Sequence, residues 1–151
     1  MDWYFLVERH LDPMTTIVVE LGDDLANAMP DLPGANSPYQ IVVHCCGMLE
    51  WWTREVVLGR PVGRDRDGEF AATGTVAELT ARVDQVRAQL RADLIEMDEA
   101  SALRGDPSAH YAGTPIGTSV RGVLLHVLEE LAQHHGHLEI TRDVILRSRG
   151  V

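Results

Sequence analysis

The residues best placed to do chemistry are His126, Glu130, His134 and His137, which follow one another at spacings of four, four and three. On a helix these spacings put all four on one stripe, and the stripe abuts the apolar positions expected to face a core. Ionisable groups in such a place raise the free energy unless they are paired or bound to a cation. A divalent metal removes that penalty directly. Glu130 and His134, one turn apart, can ligate one ion from a single helix, as in known helical zinc motifs. Without an ion the stripe would have to be a buried hydrogen-bond network in which several adjoining groups each need a partner.

A metal site in a helical bundle also needs a ligand from a facing helix. His44 is the candidate, set among the apolar neighbours Ile41, Val43 and Met48. A lone histidine in such surroundings is more often a core side chain bonded to a backbone carbonyl than a ligand, and residue type alone leaves both readings open. Cys45 and Cys46 follow it directly. Thiolates bind zinc well, but a helix turns about 100° per residue. With His44 facing the bundle axis, both cysteines point elsewhere and read as small buried hydrophobes. Neither shows the basic neighbour and exposure that a reactive thiol needs. His10, His110 and His135 lack partners in the sequence and are expected in solvent. So are Arg54 and Arg142, although either could bind an anionic substrate. Trp51 and Trp52 are expected in the core or at an interface.

Four long segments with helical patterning must position these residues. The first runs from about Asp2 to Ala28, with Phe5, Leu6, Leu11, Met14, Ile17, Val18, Leu21 and Leu25 near a 3.6-residue period. Pro13 either kinks it or separates a short extra helix from a longer one. The second opens at Ser37, with Ser37 as cap, Pro38 as first helical residue and Gln40 as reciprocal cap, and runs to about Leu58. A mixed-charge loop, Arg64 to Glu69, follows and is expected in solvent. The third starts at the capping box Thr75-Val-Ala-Glu78. Its buried stripe is Leu79, Val83, Val86, Leu90, Leu94 and Met97, and its exposed face is Arg82, Arg87, Gln89 and Asp93. The fourth runs from Thr118 or Ser119 to Arg147. No strand pattern and no repeat stands out, so the expected fold is an all-α four-helix bundle, one domain over residues 1–151.

Composition narrows the function. Hydrophobic residues at 45% and charged residues at 24% of 151 describe an ordinary soluble chain with a core large enough to fold without staples. Two adjacent cysteines cannot make a disulfide framework and suit a reducing interior. The net charge of −10, from 23 acidic and 13 basic residues, argues against nucleic acid, whose phosphates need a basic face. It does not argue against a small anion. No basic stretch leads into an apolar run at the N-terminus, so no signal peptide is expected. No apolar run is long enough to span a bilayer. The expectation is a cytoplasmic protein with neither nucleic acid nor membrane as partner.

Two segments carry a family resemblance. The stretch from Pro33 to Trp52, PGANSPYQIVVHCCGMLEWW, resembles the second helix of the DinB-like superfamily, and Glu129 to Glu139, EELAQHHGHLE, resembles its fourth-helix motif. Glutamate four residues before histidine, then Gly-His, is similar to the actinobacterial branch that holds the metal-binding domain of mycothiol-dependent maleylpyruvate isomerase and related mycothiol S-transferases. The loop from Arg64 to Leu79, RDRDGEFAATGTVAEL, is similar to that branch too. The resemblance implies a four-helix bundle, often a homodimer, and a metal held by a second-helix histidine and two fourth-helix ligands. Carried over, these are His44, Glu130 and His134, with histidine in many relatives where this chain has Glu130. His137 matches the family's Gly-His and is expected, with His126, to support the ligands rather than to bind. The isomerases carry an additional C-terminal domain, whereas this sequence stops at Val151, just after the fourth helix; transferase chemistry is the expectation.

Two histidines and one carboxylate leave a coordination position open. They suit zinc first, and also nickel, iron, manganese or cobalt. A low-molecular-weight thiol bound there would be deprotonated and would attack an electrophilic small molecule. The resemblance, not the spacing, implies mycothiol as that thiol. Spacing alone equally suits a metal-activated water in a hydrolase or isomerase. A third reading is a non-catalytic metal-binding module of a stress response.

Overall fold

A computed structural model describes residues 1–150; Val151, the last residue of the expected domain, lies outside them. The helices are α1 (Trp3–Ala26), α2 (Pro38–Glu50), α3 (Arg66–Glu69), α4 (Val76–Glu96) and α5 (Val120–Arg149), and the described residues include no strand. The four long helices share one core. α1 packs on α5 and α4, and α2 packs on the same two, so α2 and α5 are neighbours along the bundle. This is the all-α bundle that the periodicity predicts.

Local chemistry starts each long helix. Asp2, Ser37, Thr75 and Ser119 accept a first-turn backbone N–H, which satisfies donors that no helical carbonyl can reach. Ser37–Gln40 and Thr75–Glu78 form complete capping boxes. Between the helices lie Leu11, Met14, Met48, Leu49, Leu79, Leu131 and Leu138, all fully buried or nearly so. Each such side chain contributes roughly 1.5–3 kcal/mol relative to exposure.

Four expectations need correction. The extra helix before Pro13 does not form: α1 passes through Pro13 and its break lies at Gly22, whose φ of 68° only glycine adopts without strain. Leu11 and Met14, which flank the proline in sequence, are both completely buried, and that core packing holds the helix across the lost hydrogen bond. Phe5 is exposed, while Trp3 and Val7 face the core. On α4 the expected solvent face is largely engaged. Arg82 pairs with Glu50 and Arg87 with Glu8, and Asp93 is fully buried.

The second helix reaches Leu58 only by changing its pitch. From Trp51 to Val57 it winds as π-helix, a wider turn common at functional sites. The segment that follows is not a solvated loop. Residues 64–70 fold back onto α2, where α3 packs.

Candidate metal centre

α2 presents His44 and α5 presents Glu130 and His134 to one point. One ligand atom from each lies within 4.8 Å of the other two. The His44 and His134 rings stand edge to face, 4.7 Å between centroids, and His134 Nε2 is 3.6 Å from Glu130 Oε2. His44 is only 4% exposed, while the α5 pair is half-buried. The one-turn spacing on α5 and the neighbouring position of α2 suffice to explain the convergence.

Glu69, 7% exposed, closes the far side of His44. Its Oε2 lies 2.8 Å from His44 Nδ1. Arg64 donates to the same carboxylate through Nε (2.6 Å) and Nη2 (2.8 Å). Arg64 Nη2 also lies 3.3 Å from Nδ1, but a nitrogen that donates its proton to Glu69 has no lone pair to offer. Phe70 stacks on the imidazole at 4.8 Å, with Arg66 over its ring. Helix α2 admits the carboxylate because residue 47 is glycine: a Cβ there would run into Glu69 Oε1.

The electrostatics keep both imidazoles neutral. Burial lowers the His44 pKa below 6.5, against the opposing hydrogen bond and charge of Glu69. Burial likewise lowers that of His134, helped by His44 and opposed by Glu130. Two neutral imidazoles and a carboxylate, converging from different helices, fit a divalent cation in donor number and type. Cys45 and Cys46 are buried and unbridged. Burial pushes the Cys45 thiol well up and the Cys46 thiol up to about 12, so neither supplies a thiolate, as the helical turn predicts.

A cavity of about 410 Å³ opens beside the cluster, within the range of small-molecule sites. His44 and Glu130 form part of its wall; Met48, Trp51 and Trp52, on the last α-turn and the π turns of α2, supply an apolar side. Arg64, Arg66, Tyr111 and His126 complete the lining. His126, buried one turn before Glu130, lies with Nε2 3.3 Å from the Tyr111 hydroxyl and 3.8 Å from Glu130 Oε1. Its Nδ1 is buried without a hydrogen bond; Glu129 Oε2 stands 3.5 Å away. His137 is exposed, its ring centroid 6.2 Å from that of His134. A larger groove of about 610 Å³ near Tyr4 and Leu124 holds none of these groups.

Other expectations shift. His10 and His135 are not simply solvated; their Nδ1 atoms face each other at 3.3 Å. Arg54 sits 3.5 Å from Asp93 and Arg142 pairs with its neighbour Asp143. Trp52 is core and cavity wall at once, and the half-buried Trp51 shares that wall. The residues that sequence reasoning missed are Glu69, Arg64, Tyr111 and Gly47. Gly47 was the one available signal: a glycine inside a capped helix, one turn past a buried histidine, costs about 1 kcal/mol against alanine and asks for a close neighbour.

A protein-family model described as mycothiol-S-transferase matches residues 5–146. No curated protein and no solved structure matches the chain.

Proposed function

Since the chain belongs to the mycothiol-S-transferase family, we propose that it transfers mycothiol to an electrophilic small molecule at a divalent-metal centre held by His44, Glu130 and His134. The observation that carries the reading is the convergence of the three ligand atoms at the edge of an open cavity. When bound, the ion supplies a Lewis acid at which a thiol loses its proton and is held as the nucleophile. The chain's own side chains do the rest. His44 and His134 are held neutral and so offer lone pairs near pH 7. His126 backs Glu130 from one turn away, and its contact with Tyr111 fixes that hydroxyl at the cavity wall. Met48, Trp51 and Trp52 give an electrophile an apolar surface beside the three ligands. Arg66 sets a positive charge at the same wall.

Zinc is the ion that two nitrogens and a carboxylate suit best, and His137 is read as support for His134 from outside the ligand set. The reading extends to one bundle domain working as a homodimer, as the family resemblance implies, in the reducing cytoplasm that two unbridged cysteines suit. The test is transfer of mycothiol to a chromogenic electrophile, with and without chelator. Chelation should abolish transfer, and re-addition of metal should restore it. Equal rates in both conditions would end the metal-centred reading, and turnover without any thiol would point instead to a hydrolase or isomerase at the same centre.

A further inference from the structure

The geometry points to Glu69 as the positioning residue that decides which nitrogen of His44 faces the ion, with Arg64 and Gly47 fixing the carboxylate in place. The inference rests on the metal reading above and deepens it. A neutral imidazole can carry its proton on either ring nitrogen, and only the bare nitrogen can bind a metal. At His44 the choice is made by contact. Glu69 Oε2, 2.8 Å from Nδ1, can only accept, so the proton belongs on Nδ1 and the Nε2 lone pair is left free. A carboxylate behind a ligating histidine also raises its basicity and locks its ring.

Three further observations separate this contact from a chance ion pair. Arg64 grips both oxygens of Glu69, which removes the rotational freedom of the carboxylate. The notch at Gly47 has room for Glu69 Oε1 and for nothing on Cβ. Phe70, the next residue, closes one face of the imidazole. Among the described residues His134 has no such support: the acid paired with it is Glu130, itself a candidate ligand, at 3.6 Å. His44 is therefore the pre-set ligand, and the α5 pair adapts to it.

Two measurements test this. In the metal-free protein labelled with 15N-histidine, long-range proton–nitrogen correlation should show His44 with its proton on Nδ1, and E69A should lose that preference. In chelator competition with zinc, E69Q and E69A should bind about 10–100-fold more weakly, and G47A, which leaves Glu69 chemically intact but displaced, should weaken binding in the same direction. If E69A fails to fold, E69Q and G47A decide. A wild-type His44 protonated on Nε2, or folded E69Q and G47A proteins that bind zinc as wild type does, would overturn the assignment. A wild-type chain that binds no zinc while its His44 carries the proton on Nδ1 would instead remove the metal reading and leave the tautomer assignment standing.

Discussion

Two buried carboxylates, Glu69 on α3 and Asp93 on α4, each have arginine neighbours, and they are built to different standards. Glu69 has every oxygen engaged at 2.6–2.8 Å and aims an imidazole at the cavity. Asp93, 0% exposed, accepts from Gln89 at 3.0 Å and lies 3.5 Å from Arg60 and from Arg54. Its Oδ2 and the Arg54 Nε are buried without a hydrogen bond. Burial accordingly pushes the Asp93 carboxyl above its ordinary range, against Gln89 and the two arginines. Asp93 ties α4 to the π turns that carry Trp51 and Trp52; any loosely held charge pair could do so. Directing a lone pair at an ion demands a tighter clamp, and the difference in hydrogen-bond quality separates the two jobs.

The contrast can be broken in several ways. The largest effect is expected from H44A, which should weaken zinc binding more than about 100-fold, beyond the loss of any outer partner, while D93N leaves zinc affinity unchanged in the same chelator competition. Next, D93A should destabilise the fold by about 1–3 kcal/mol in urea unfolding. That value is smaller than for a fully buried pair because Arg54 and Arg60 keep 31% and 42% exposure and can rehydrate. A D93A protein that loses its zinc affinity along with its stability would erase the distinction.

The two regions should also respond to pH with opposite signs. The native pKa values of His44 and His134 lie below their unfolded value of 6.5, so the metal-free unfolded chain binds more protons there. The stability these histidines contribute is present above pH 6.5 and lost as pH falls through their native values. Asp93 has a native pKa above its unfolded 3.8. The pH-linked part of its contribution is present below pH 3.8 and lost as pH rises through the native value, which leaves the Gln89 and arginine contacts that D93A removes. Melting temperatures against pH should show an H134Q variant less sensitive than wild type just below pH 6.5, and D93N less sensitive only on the acid limb. The smallest effect is expected for Q89A, about 0.5–1.5 kcal/mol, confined to stability.

The bundle was legible because its signals are local. Capping boxes at Ser37 and Thr75 and apolar stripes on α4 and α5 each specify an element without reference to the rest. The Glu130–His134 pair was legible for the same reason, since one turn of helix fixes its geometry. His44 needed the family resemblance, because nothing local distinguishes a ligating histidine from one in a core. The clamp behind it was not legible at all. Arg64 and Glu69 sit in a run of alternating charges that reads as solvated, and only the return of that run onto Gly47 gives it meaning. Pro13 misled for the converse reason: tertiary packing of Leu11 and Met14 overrode a strong local breaker, and the break moved to Gly22.

The most direct test is a calorimetric titration of zinc into metal-stripped wild-type protein, beside H44A and H134A. The account predicts one specific binding event per chain for the wild type and none for either variant, with all three proteins folded by circular dichroism. A wild type that shows no specific binding, or an H44A protein that titrates as the wild type does, would contradict it.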